Sequence, residues 1–596
     1  MGDSGVVVQP ALSQFELRSK TAGLLLVLAV VLVYGNFLHN PLVFDDLNFL
    51  NNDKLLREYA ASVFKLDLRW FSYVTFGWTH SLAGDSVVWH RLINLLFHAA
   101  TVLVLYRFLA KLFQMVLKDE CASHYAFGGA LLFAVHPVAV YGVGYLIQRS
   151  IVMAALFSLL AMLAWLKGLE CNRQRWMYLS VLFYFLAVFS KEHAVMLPCA
   201  LAAMTILVRR PSVALLREMA WPLLVFATVA VMVVLKSKGI LGQPYEPFAM
   251  QMLAAQAENQ IEFQIENAYF LSILMQGLMF FKYLGLWLVP YIGWMSVDMR
   301  VVFPDGFVFW PYSIGFLAYV VYPIFAIKLL LRGGKAGLLG FALFFPWVMF
   351  LTEFAAVRIQ EPFTLYRSYL WMLLFPAVLP VVADVFARLR INVVLGIVVL
   401  LLAIAAWNRL DSFSGELQLW NDAVTKYPSD KVPGAERGYL NRGVAWKKLN
   451  FFDKAFADYD KAIEINPKYY VAYSNRGSSY ISLFRYPEAM ADLNKAIEIN
   501  PKYASAYSNR GLVKSRLGNY REAIEDFDKA LVLEPDNSII YSNRGVARVG
   551  NGDYAGAVRD FEFAVILDAT NLGAAINLNL VRKKMGTGQV PISPLN

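Results

Sequence analysis

The stretch NPLVFDDLNFL, Asn40 to Leu50, sets two adjacent carboxylates, Asp45 and Asp46, directly behind the first apolar run of the chain. A bare charge beside lipid is costly, so ionisable residues there tend to be functional. A carboxylate so placed can take a proton from a hydroxyl. Two neighbouring carboxylates could also hold Mg2+ or Mn2+, with Glu192 and water completing the shell. The plain alternative is a solvated helix cap. Cations stand on the same side of the chain's apolar runs. Arg149 and Arg367 lie where runs begin, Lys191 lies in a tight turn between two runs, and Lys282, Arg300 and Arg358 lie in loops or weak runs. Arginine grips phosphate with a planar fork and lysine as a point charge. A lipid phosphate is the natural anion for such a set, and snorkelling toward headgroups is the plain alternative. A base and a phosphate clamp on one face define a reaction. The base deprotonates a hydroxyl, the hydroxyl attacks a sugar carbon, and the phosphate leaves with its charge held by the cations.

These residues must be positioned by membrane helices. The chain has 596 residues, 58% hydrophobic and only 16% charged, against roughly 25% charged in soluble proteins. The net charge of +10 fits basic cytoplasmic loops better than a nucleic-acid surface, so no nucleic-acid partner is expected. Cys121, Cys171 and Cys199 have neither metal-binding spacing nor a disulfide framework, and no CxxC, HExxH or P-loop pattern occurs. Residues 1–19 read as a cytoplasmic tail before a retained first helix. MGDSGV matches a myristoylation signal only loosely.

Apolar runs near 20–38, 90–112, 125–142, 150–168, 176–190, 193–208, 217–236, 311–331, 338–356, 365–386 and 391–408 predict about eleven crossings. Arg173, Arg175, Arg209, Arg210, Arg332, Lys335, Arg388 and Arg390 then share one side, the cytoplasmic one. The other side holds a first exterior loop, 39–89, a long exterior loop, 237–310, and the loop 357–364. Residues 268–290 are apolar enough to span. A full crossing there would invert the later basic loops, so a re-entrant or interfacial helix is expected. The domain 20–410 is thus polytopic and all-helical.

Beyond Asp411 the chain turns polar and repeats every 34 residues, with NRG at Asn441, Asn475, Asn509 and Asn543 and alanines and prolines in phase. It resembles the tetratricopeptide pattern: small residues where two helices touch, proline where one repeat turns into the next. Residues 411–435 read as a connecting half-repeat, 436–571 as four repeats forming an α-solenoid, and 572–596 as a capping helix and tail. Asn441, Asn475, Asn509 and Asn543 form a ladder of amides able to pair with an extended acceptor peptide. The array is similar to the asparagine ladder of O-linked N-acetylglucosamine transferase. The alternative is hydrogen bonding within each repeat.

NPLVFDDLNFLNN resembles the first exterior loop of GT-C glycosyltransferases. WHRLINLLFH, HPVAVYGVGYLIQR, SKEHAVMLP, EPFTLYRSYLWM and LWNDAVTKYP follow in the order of the transmembrane-and-tetratricopeptide O-mannosyltransferases (TMTC family) and their bacterial relatives. The resemblance implies a GT-C fold and sugar transfer from a polyprenyl-phosphate donor to a Ser or Thr hydroxyl of an extracytoplasmic protein. It implies Asp45 as base, Asp46 as its orienting partner or a metal ligand, and Arg149, Lys191 and Arg367 at the donor phosphate. His136 either faces the cavity or partners Pro137 structurally. Glu361 and Glu192 join the site as cavity or metal residues. LYRSYLWM departs from the animal ERYLYLP, which leaves the donor sugar open. The absence of any Asn-x-Ser/Thr sequon favours a bacterial inner membrane with periplasmic repeats over an endoplasmic reticulum membrane with luminal ones. A pilin is one fitting acceptor. The competing expectations are the same chemistry on a lipid or surface polysaccharide, and a non-enzymatic membrane scaffold.

Overall fold

The computed structural model describes residues 19–62, 65–118, 121–209, 212–244, 267–385 (apart from 305, 307, 309 and 360), 391–429, 432 and 434–586. The expected tail 1–19, all but its last residue, and the basic residues Arg210, Arg388 and Arg390 lie outside this set. Among the described residues the regular structure is helical, apart from one isolated antiparallel bridge between Met299 and Phe363. Two compact units form, Met1–Pro433 and Gly434–Asn596.

Among the described residues of the first unit, eight helices are long and apolar enough to cross a membrane. They are Lys20–His39, Val87–Leu117, Leu146–Cys171, Val213–Lys236, Ala268–Leu288, Tyr312–Arg332, Gly334–Ala355 and Asn392–Asp411. Two more apolar segments are bent pairs, Ala122–Ala134 with Pro137–Val143 at 51° and Leu365–Trp371 with Phe375–Asp384 at 52°. The stretch expected as two spans at 176–190 and 193–208 folds as a 17-residue helix, Gln174–Ser190, and an apolar segment of the same length, Glu192–Val208. The departures from uninterrupted spans have a local cause. Pro137 and Pro376 remove amide donors at the two bends, and Lys191 takes an extended backbone, φ −154° and ψ 124°, that ends its helix. In chain order, the first two of these breaks fall at His136 and Lys191.

Ala268–Leu288 is one unbroken helix of 21 residues. Its contacts with Tyr312–Arg332 rise in step: Gly277 abuts Phe316, and the ring of Phe280 lies 5.1 Å from those of Tyr319 and Tyr322. The two helices therefore run parallel. A Cβ on Gly277 would sit 2.7 Å from Phe316 Cα, so only glycine permits that approach.

The second unit stacks helix pairs: Ala435–Lys448 with Phe452–Ile465, Tyr470–Ser482 with Tyr486–Ile499, Ala504–Arg516 with Tyr520–Leu533, and Ser538–Gly550 with Tyr554–Leu567. Helix Leu572–Lys584 follows. The glycine of each NRG faces a large side chain of its partner helix, Tyr459, Leu493, Phe527 or Phe561, at 2.7 to 3.1 Å from an added Cβ. Ala455, Ala489, Ala523 and Ala557 are fully buried at the same contact.

Candidate functional site

Arg91 fixes the loop that carries the carboxylate pair. Its buried guanidinium donates to the carbonyls of Asn40 (2.9 Å), Pro41 (2.5 Å) and Gly144 (3.2 Å), tying the loop to residues 144–147. Phe44 then adopts φ 55°, a conformation costly for a non-glycine residue. Its ring lies 5.0 Å from Trp420 and 6.0 Å from Tyr145, which holds that strained turn.

The two carboxylates turn to different partners. Asp46 is fully buried and accepts the amides of Leu146 (3.1 Å) and Ile147 (2.8 Å). Burial pushes its carboxyl up to about 7, against the pull of those amides and Arg91. Asp45, half-buried, accepts the hydroxyl of Tyr145 at 2.6 Å. Burial, with Asp45 beside it, holds the Tyr145 phenol well above its usual range.

A second cluster gathers residues from three distant stretches. Arg69 binds Glu192 through two nitrogens, at 2.6 and 3.1 Å. Buried Glu353 takes His193 at 2.9 Å, Arg367 at 2.9 Å and Arg358 at 3.4 Å. Arg367 also reaches Glu361, whose carboxylate accepts the Tyr366 hydroxyl at 3.3 Å. Lys191 is buried among these groups, with its ammonium 5.7 Å from the Tyr366 ring centre. Burial first, then Arg69, lowers the Lys191 ammonium to about 7. His193 aside, four cations (Arg69, Lys191, Arg358, Arg367) face three carboxylates (Glu192, Glu353, Glu361), and each arginine has a carboxylate partner. The surplus positive charge rests on Lys191.

Two tyrosines join the clusters. The Tyr145 and Tyr366 rings lie 6.3 Å apart, edge to face, so Asp45 connects through Tyr145 to the ring flanked by Lys191 and Arg367.

Arg149 stands apart from this arrangement. Its buried guanidinium lies 3.7 Å over Phe76 and donates to Asn94 (2.6 Å), the His90 carbonyl (2.9 Å), Thr75 (3.3 Å) and Thr79 (3.4 Å). It acts here as a packing strut between helices. His136 takes the structural alternative. Nδ1 accepts the Val138 amide, Nε2 meets the Trp287 carbonyl at 3.2 Å, and the ring stacks on Trp287 at 4.4 Å. Neither nitrogen is left for a cavity ligand.

The expected metal shell of Asp45, Asp46 and Glu192 does not suit an ion as arranged. Both Asp46 oxygens accept amides and both Glu192 oxygens accept Arg69. Elsewhere, Asp53, His80 and Asp85 bring ligand atoms within 4.8 Å of one another. The imidazole there sits between the carboxylates, 3.4 Å from Asp53 and 3.3 Å from Asp85.

Sequence reasoning missed Tyr145, Arg69, His193, Tyr366 and Glu353. A signal existed for Glu353: a lone carboxylate in the apolar run FLTEFAA is a functional candidate by default. In the repeats, Asn475 turns its amide to the Val471 carbonyl of its own helix at 2.9 Å. The arginine of NRG is the residue with the systematic role. Arg442, Arg476, Arg510 and Arg544 each bind Asp458, Asp492, Asp526 or Asp560 through two nitrogens at 2.6 to 3.0 Å. Arg476, Arg510 and Arg544 also reach back to Asp460, Asn494 and Asp528 of the preceding repeat.

Tetratricopeptide-repeat models match residues 436–469, 477–518 and 504–537. The C-terminal region carries tetratricopeptide repeats. Among solved structures the chain is similar to the TPR domain of Arabidopsis OM64, with 26% identity over 19% of this chain and 94% of that one, TM-score 0.19. It is similar to a thermophilic TPR protein of Thermus thermophilus, with 22% identity over 31% and 94% of the two chains, TM-score 0.25. MamA of Desulfovibrio magneticus matches with 16% identity over 26% and 86%, TM-score 0.24. No curated protein matches the chain. Tetratricopeptide arrays are protein-binding scaffolds, and the repeats here supply such a surface.

Proposed function

We propose that this chain is an integral-membrane GT-C type glycosyltransferase. It moves a sugar from a polyprenyl-phosphate donor to a Ser or Thr hydroxyl of an extracytoplasmic protein held by the tetratricopeptide array. One relationship carries the reading: Asp45 is joined through Tyr145 to Tyr366, and Tyr366 lies against Lys191 and Arg367. A base and an anion site in one region are what transfer from a lipid phosphate requires.

The acceptor hydroxyl gives its proton to the Asp45 carboxylate. The bond from acceptor oxygen to the anomeric carbon forms as the bond from that carbon to the phosphate oxygen breaks. The lipid phosphate departs with the electron pair, and Lys191, whose charge no carboxylate of the cluster pairs within 4 Å, receives the anion together with Arg367. The repeats raise the acceptor's local concentration. The resemblance of the ordered motifs to the TMTC family supports the donor class, and the missing sequon supports a bacterial inner membrane with periplasmic repeats.

The test is Asp45→Asn in cells, read by intact mass of extracytoplasmic proteins. Loss of a hexose-sized shift with normal chain abundance is expected, and unchanged glycosylation refutes the assignment. A second reading, a membrane scaffold without chemistry, draws on the occupied guanidinium of Arg149 and the carboxylate partners of Arg367. It requires Asp45 and Lys191 to be replaceable without loss of function.

A further inference from the structure

The first and the last of the long apolar helices, Lys20–His39 and Asn392–Asp411, end side by side. The Trp407 indole donates to the Leu32 carbonyl at 3.2 Å, and the Asn40 amide reaches the Leu410 carbonyl at 3.5 Å. Between these ends lies a cavity of about 290 Å³. Its lining passes from apolar to polar in step on both sides, from Val33 to Asn36 and Asn40 on one and from Trp407 to Asp411 and Ser414 on the other. A bilayer changes in the same order from tails to headgroups, and indole rings gather at that boundary.

Asp411 sets the sign of the cavity. It is the one ionisable side chain among the described residues of the lining. It closes its helix, where the helix dipole is negative and a carboxylate is disfavoured. Among the described residues its carboxylate has no ion-pair or hydrogen-bond partner. Arg409, two residues before it, is paired with Asp422 at 3.0 Å. A carboxylate and a helix C-terminus acting together attract a cation. Trp407 lies one turn before Asp411 and is half-exposed, and an indole face attracts an ammonium group. The side-chain oxygens of Asn36 and Ser414 accept N–H, which favours an ammonium with protons to donate over a quaternary one. Asn36 and Asn40 also carry amide donors, which suit a phosphate next to that ammonium.

We infer that this cavity holds the headgroup of a phosphatidylethanolamine-type lipid, with its ammonium at Asp411 and Trp407, its phosphate at Asn36 and Asn40, and its tails along the two helices. The inference rests on the membrane part of the proposed function and is independent of sugar transfer. Asn40, whose carbonyl Arg91 holds at 2.9 Å, opens the loop that carries Asp45, so the bound headgroup braces that loop at its start.

The test is native mass spectrometry of the whole chain released from detergent micelles, with phosphatidylethanolamine, phosphatidylcholine and phosphatidylglycerol offered at equal concentration. The ethanolamine lipid is expected to be retained about tenfold over each of the others, the scale of one charge-assisted contact. Asp411→Asn should abolish that preference. Asp411 is exposed, so this near-isosteric change leaves the fold intact. Asp384→Asn, at an exposed carboxylate paired with Lys335, should leave the preference as it is. Equal retention of the three lipids, or a preference that survives Asp411→Asn, overturns the inference and leaves the membrane reading standing. A chain that stays soluble without detergent and retains no lipid overturns both.

Discussion

The Tyr145 hydroxyl donates to Asp45 at 2.6 Å across a separation of 100 residues in the chain. Its ring also faces Tyr366, so one side chain touches both the proposed base and the wall of the proposed phosphate site. Tyr145→Phe removes the donor and keeps the ring. Transfer should fall by about ten- to a hundredfold, the scale of one lost hydrogen bond to a charged group, while Asp45→Asn should fall further. Initial rates with a lipid-linked donor and a peptide acceptor separate the two.

Lys191 and Arg149 are both buried cations, and their replacements should part company. Lys191→Met removes a charge that burial already weakens, so thermal stability should hold or rise while KM for the lipid donor climbs. Arg149→Met strands the Asn94 oxygen and the His90 carbonyl and should cost about 3 kcal/mol or more. Melting curves beside KM values check both.

Asp46 should make stability depend on pH. Its carboxyl ordinarily titrates near 3.8 and is raised to about 7 in the fold. The folded chain then holds a proton that the unfolded chain releases between these values. The stability due to Asp46 is present below about 4 and is lost as pH rises to about 7. Asp46→Asn should flatten that slope in melting temperature between pH 4 and 7, and an unaltered slope contradicts the assignment.

In the repeats, Arg476→Ala leaves the buried carboxylate of Asp492 without its two-nitrogen partner and frees Asp460. The array should lose about 2–4 kcal/mol, seen as an earlier helical melt. Asn509→Ala should leave the melt in place and weaken capture of an acceptor peptide.

Much of the architecture was legible in the residues. The 34-residue period specifies helix pairs because small side chains at fixed spacing admit only close helix contact, and Gly443 and Ala455 do that in the structure. The apolar runs mark where helices long enough to cross must lie. Their breaks at Pro137, Lys191 and Pro376 were harder to read, because a run of apolar residues looks alike whether its helix is straight or bent. The asparagine ladder was conspicuous in the period, yet Arg476 and its equivalents hold the repeats, since an aspartate 16 residues away becomes a neighbour only after the helices pair.

Asp45, Asp46, Lys191 and Arg367 were visible as charges out of place in an apolar chain, because their cost beside lipid depends only on residue type and neighbouring hydrophobicity. Their partners were not. That Arg149 is a strut, that His136 is spent on Val138 and Trp287, and that Tyr145 and Tyr366 lie between acid and cations depends on which distant segments pack together. Composition and spacing carry no record of that, because a buried charge is defined by the donors and acceptors that folding brings within about 3 Å of it.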